Sequence, residues 1–245
     1  MRTFHVFSLA LLLAFVFSFF YTSAQAQVDP FVNGSFETGD FTGWTVVQEP
    51  GSGGDWFVYS GNSTPLFSFV PGPPFGQFAA ITDQGGPSSQ VLFQDVEVPQ
   101  DLNVECSVIV YYENTAGAFV TAPDLSYLTD PNQQARIDIM DPSAGDFDVG
   151  AGVLLNVFQT NPGDPASLRY TEIVFDLTQF SGTTVRFRAA EVDNQGVFNF
   201  AIDDVRCGDR VSAIPTLGEW GMIAMAGVLG LAGLIFATRR RTLAA

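Results

Sequence analysis

The sequence predicts an all-β sandwich followed by one C-terminal transmembrane helix. Three observations predict it. Short alternating or β-rich runs recur along the body, each broken by Gly, Pro, Asn or Asp. Amphipathic helical periodicity is missing between them, and nothing repeats at a period of about 20–50 residues. The last apolar run alone has the length and uniformity of a membrane span.

The candidate strands are Trp56–Tyr59, Phe78–Ile81, Gln90–Val98, Val104–Tyr112, Ala135–Met140, Val153–Gln159, Glu172–Leu177, Thr184–Ala190 and Val197–Cys207. Such a series of short strands implies a sandwich. Alternation is clearest late in the chain. Val185, Phe187 and Ala189 share one face, and Arg186 and Arg188 the other. Phe198, Phe200 and Ile202 again share a face, but Val205 and Cys207 resume the pattern one step out of phase across Asp203-Asp204. A β-bulge produces that slip. Loop sequence rich in Pro and Gly fills Glu49–Gly54, Asn62–Gly76 and Pro142–Pro165. The second is unusually apolar, with Phe67, Phe69 and Phe75, and reads either as a cover for the core or as an exposed contact surface.

Both ends are hydrophobic, with different meanings. MRTFHVFSLALLLAFVFSFFYTSAQAQ has a positive start at Arg2, an apolar stretch Phe7–Phe20 and an Ala24-Gln25-Ala26 cleavage signal. This reads as a secretory signal peptide over residues 1–26, removed by signal peptidase. The body is then 27–210. Trp220–Thr238 is uncharged and, at about 1.5 Å per residue, covers a hydrocarbon core of about 30 Å. Arg239, Arg240 and Arg241 follow directly and stay in the cytoplasm by the positive-inside rule, which leaves the body outside.

Charge narrows the partners. Acidic residues number 26 against 10 basic, and no Lys occurs. Phosphate backbones need a basic surface, so nucleic acid is excluded; an acidic surface instead attracts cations such as calcium. Two cysteines, Cys106 and Cys207, in an exported chain imply one disulfide, the alternative being two buried thiols.

The octapeptide before the span is Ile214-Pro215-Thr216-Leu217-Gly218-Glu219-Trp220-Gly221. It resembles the signature of the IPTL-CTERM sorting domain, in which such a motif precedes one transmembrane helix and a short Arg-rich tail. Here motif 214–221, helix 220–238 and tail 239–245 stand in that order within a sorting region 211–245. The resemblance implies an exosortase-type membrane enzyme as partner. Its route would be transient anchoring in the inner membrane, removal of the tail, and display at the cell surface or release. Pro215 keeps the recognition stretch extended, and Trp220 sits where an interfacial aromatic belongs.

A second resemblance lies in the body. FVNGSFETGDFTGWTV, with Asn-Gly-x-Phe-Glu and a following Gly-Trp, resembles the first strand of galactose-binding-like jelly rolls, a group that includes carbohydrate-binding modules. FNFAIDDVRC resembles their last strand, and SSQVLFQDVEVP more loosely an inner one. The resemblance implies a jelly-roll β-sandwich and a structural calcium shared by the two ends. Glu37 and Asp203 would give carboxylates and Ser35 a backbone carbonyl; calcium accepts such hard oxygens.

Aromatic rings stack on apolar sugar faces, which makes Trp56 and Tyr59 candidate ligand-binding residues, while Trp44 reads as core or rim. Tyr111 and Tyr112 point to opposite faces, so at most one is expected to be buried. Catalysis has little support. The only His is His5, inside the signal peptide, which removes Ser-His-Asp and Cys-His sets. The expected protein is therefore a non-enzymatic, surface-sorted sandwich with a structural or adhesive role. The alternatives are a module binding extracellular polysaccharide and, third, a hydrolase.

Overall fold

The computed structural model describes residues 29–100, 103–208 and 228–229. The chain divides into two units, Gln27–Gly208 and Met1–Ala26 with Asp209–Ala245. Of the second, only Val228 and Leu229 are described. The expected signal peptide, the sorting motif and the arginine tail lie outside the described residues, as does the rest of the expected span. Among the described residues no helix is long and apolar enough to cross a membrane.

The first unit is a jelly-roll sandwich of two five-stranded antiparallel sheets. In chain order the strands are β1 (Thr45–Gln48), β2 (Gly54–Tyr59), β3 (Ala79–Gln84), β4 (Ser88–Glu97), β5 (Glu105–Asn114), β6 (Gln133–Met140), β7 (Val153–Gln159), β8 (Ser167–Asp176), β9 (Thr184–Asp193) and β10 (Phe198–Cys207). One sheet runs β1-β4-β9-β6-β7 and the other β2-β3-β10-β5-β8. The expected strands are all present; β1, an edge strand of four residues, was not among them.

Alternation explains the core between the sheets. Val185, Phe187 and Ala189 of β9 face Phe198, Phe200 and Ile202 of β10 across one apolar cluster that also holds Trp44 and Trp56. Trp44 stacks beside Phe31 and meets Phe187 edge-on, so it belongs to the core. The inner strands of both sheets are buried on their outward faces as well. Outside the first sheet, Leu125, Tyr127, Phe147 and Val149 cover Val91, Ala190 and Val192. Outside the second, Val70 packs on Tyr59, Ala79, Ile81, Tyr111 and Ala201.

That double cover corrects the expectation for Tyr111 and Tyr112. Both are buried, because Tyr112 enters the core while Tyr111 lies under the outer layer. It also explains buried charge. Arg188, on the outward face of β9, is wholly enclosed. It donates to Asp138 at 2.5 Å and to the carbonyls of Asp146 and Asp148. Arg136 forks onto the same Asp138 at 2.6 and 2.8 Å.

The parity slip is a bulge. Pairing of β10 with β5 shifts register between Asp203 and Arg206, and Asp204 has φ of 47°. The Val205 N–H freed there donates to Gly34 O at 2.9 Å. A Cβ on Gly34 would stand 1.9 Å from Val205 O, so this approach of first segment to last strand requires glycine. Beyond the bulge Cys207 faces Cys106 across the ladder, and the two form a disulfide spanning 101 residues of sequence.

Candidate functional site

The bulge places Asp203 beside the turn that carries Glu37. Asn33 and Phe36 hold that turn with φ of 52° and 58°. Asn33 O accepts from Phe36 N and from the Trp44 indole, both at 3.1 Å, and Phe36 is fully buried. With Phe36 driven inward, Glu37 is left at the surface. Its Oε1 accepts from Gln77 N and Phe78 N at 2.9 Å. Asp203, fully buried, accepts from Phe75 N at 3.3 Å and Asp204 N at 2.7 Å.

Two carboxylates from opposite ends of the body therefore share the segment 75–78. Between them Gly76, at φ of 59°, leaves a cradle; a Cβ there would lie 2.3 Å from the Glu37 carboxyl carbon. Burial pushes the Asp203 carboxyl up to about 7, and the charges of Asp204 and Glu37 add to the rise, against backbone donors that lower it. Ser35 occupies the same turn, half-buried between Gly34 and Phe36. Among the described residues no group of three or more His, Cys, Asp or Glu is arranged for a metal. A calcium ion at this junction would take its remaining oxygens from carbonyls and water, a donor set it accepts.

The candidate sugar platforms lie elsewhere. Trp56 is 2% exposed, with its ring edge-on to Phe200 inside the core. Tyr59 is 3% exposed beneath the loop over the second sheet; its hydroxyl donates to Pro71 O and meets the Tyr170 hydroxyl. Neither ring offers a face to a ligand, because the sheet is covered on both sides. The exposed rings belong to the loop itself, with Phe67 at 84% and Phe69 at 87%. The loop folds as a tight hairpin: Thr64 N donates to Ser68 O, Phe67 N to Thr64 O, and Ser63 bridges Phe69. Phe67 has φ of 72°, and Asp83 anchors the turn by accepting from Leu66 N at 2.7 Å. The loop thus does both things its sequence allowed, sending Val70 inward and two Phe rings outward.

Glu191 and Asp193, on the inward face of β9, were outside the sequence expectation, which ended that strand at Ala190. The signal was present: the inward parity Val185, Phe187, Ala189 runs on into two acids.

Residues 212–241 match the IPTL-CTERM motif. No curated protein matches the chain. Among solved structures it is similar to the carbohydrate-binding module TmCBM61 in complex with β-1,4-galactotriose. Identity is 14%, coverage 74% of this chain and 98% of that one, and the TM-score 0.44. It is also similar to the K3 cleaved adhesin domain of Lys-gingipain from Porphyromonas gingivalis W83 (13%, 74% and 97% covered, TM-score 0.43). A third is the xylan-binding domain from CBM 22 (13%, 78% and 99% covered, TM-score 0.38). The chain thus joins a two-sheet β-sandwich body to an IPTL-CTERM sorting signal.

Proposed function

We propose that this protein is exported behind a cleaved signal peptide and held briefly in the inner membrane by residues 220–238. An exosortase-type enzyme then processes it, and its sandwich is displayed or released as a non-enzymatic surface protein with a structural or adhesive role. The observation that carries the reading is the match over residues 212–241. It takes in the octapeptide Ile214–Gly221, the apolar run and the arginines in their expected order. Removing Ile214–Ala245 tests it: the shortened protein should reach the periplasm or medium without surface sorting. Unchanged surface display would contradict it.

Calcium belongs to this reading as a structural clip. Glu37 and Asp203 would hold the ion, with Ser35 as a carbonyl donor, and would fasten the first segment to the last strand. Closing so long a loop restricts the unfolded chain strongly.

A second reading, binding of extracellular polysaccharide, is favoured by the hairpin. Its two exposed Phe rings are apolar plates of the kind that stack on a pyranose. A glycan array probed with the protein tests it, with Phe67→Ala and Phe69→Ala as controls that should lose any signal.

A further inference from the structure

At the end of the sandwich where β3 turns into β4, the core turns polar. Gln84 ends β3, Ser88 begins β4, and Gln90 follows on the same inward face. β9 brings Glu191 opposite Gln90 and Asp193 opposite Ser88. All five side chains are buried: Ser88, Gln90 and Glu191 show no exposure, Asp193 3% and Gln84 5%. Gln90 Nε2 donates to Glu191 Oε2 at 2.6 Å, and Gln84 Nε2 is turned to Phe198 O at 2.8 Å.

Each of the five then keeps one oxygen without a hydrogen-bond partner: Gln84 Oε1, Ser88 Oγ, Gln90 Oε1, Glu191 Oε1 and Asp193 Oδ1. Buried polar atoms are rarely left so, and five in one cluster call for a common occupant. The orphans in this cluster are oxygens, two of them on carboxylates that repel one another. Burial pushes Glu191 well above the usual carboxylate range, with the charge of Asp193 adding, and pushes Asp193 up to about 7. Even a proton on each carboxyl leaves the amide oxygens Gln84 Oε1 and Gln90 Oε1 without a donor in reach. A doubly charged hard cation serves all five, since it takes six to eight oxygens from carboxylates, amides and hydroxyls.

We infer that the end of the sandwich beneath the 85–87 turn is an internal binding site for a hard divalent cation of the calcium class, held between Glu191 and Asp193. Gln84, Gln90 and Ser88 complete the ring from β3 and β4. The ion would tie the two sheets together at the end opposite in chemistry to the apolar middle of the core. It is independent of the junction at Glu37 and Asp203 and stands whether or not that junction takes calcium.

The experiment is equilibrium dialysis of calcium against the full chain in detergent, at 0.15 M salt to screen exposed acids. In a Glu37→Gln background one calcium per chain should remain bound, and it should be lost when Glu191→Gln and Asp193→Asn are added. No tightly bound calcium in the Glu37→Gln chain overturns the inference. Retention of that calcium after the two further changes overturns it as well. Should the triple variant fail to fold, anomalous scattering from terbium-exchanged crystals of the unaltered chain decides. A peak between Glu191 and Asp193 is expected, and its absence refutes the site.

Discussion

Glu37 and Asp203, from the first segment and the last strand, seat their carboxylates on the same four residues, 75–78: Glu37 on Gln77 N and Phe78 N, and Asp203 on Phe75 N. If calcium joins them, it binds only the folded state. Stability then rises with free calcium by about 2.7 kcal/mol at a hundredfold excess over Kd. For a domain of this size that is roughly 5–10 °C of Tm. Glu37→Gln should reduce the calcium-dependent gain, measured by calorimetry in chelator and in millimolar calcium. An identical response in the variant would make these carboxylates ordinary partners of the loop.

The acids raised by burial fix a pH dependence in chelator. Asp193 and Asp203 keep their protons to about 7 in the fold, and the unfolded chain releases them near 3.8. Between those values the unfolded state binds fewer protons, so stability is highest below about 3.8 and falls as pH rises towards 7. Saturating calcium removes the protons from both sites and should flatten that fall. A chelated protein whose Tm climbs steadily from pH 4 to 7 contradicts the assignment.

Cys106 and Cys207 close a loop of 101 residues. In the chain-entropy model the disulfide stabilises by about 4–5 kcal/mol, a Tm difference of roughly 10 °C or more. Paired Cys→Ser variants should show that loss, and the unfolded native protein should titrate with no free thiol.

Asp138 lies between Arg136 and Arg188, all three buried. Asp138→Asn leaves two enclosed guanidinium groups without a counter-charge, at a cost of about 3–5 kcal/mol. Chemical denaturation measures it, and a loss below about 1 kcal/mol would mean that solvent reaches the pair.

The sandwich was legible because alternation is a local property, and strands such as β9 and β10 carry it openly. The bulge was legible for the same reason, as a slip of parity at Asp203-Asp204. β1 escaped because Thr45–Gln48 is a short edge strand with little burial of its own. Trp56 and Tyr59 were misjudged on a different ground. Alternation tells which face a ring points to, whereas only the folded loops tell whether that face is covered. The Glu37 and Asp203 junction came from the resemblance of the two ends, since no spacing rule joins residues so far apart. The acids at 191 and 193 follow the inward parity of β9, but a polar inward position has meaning only once Gln84, Ser88 and Gln90 are seen around it.

Sorting removes the C-terminal region, and mass spectrometry of the mature protein from its native host reads that removal. The expected chain begins at Gln27 and ends within or just before Ile214–Gly221, without the apolar run and without Arg239–Arg241. A mature protein that still ends at Ala245 would contradict it.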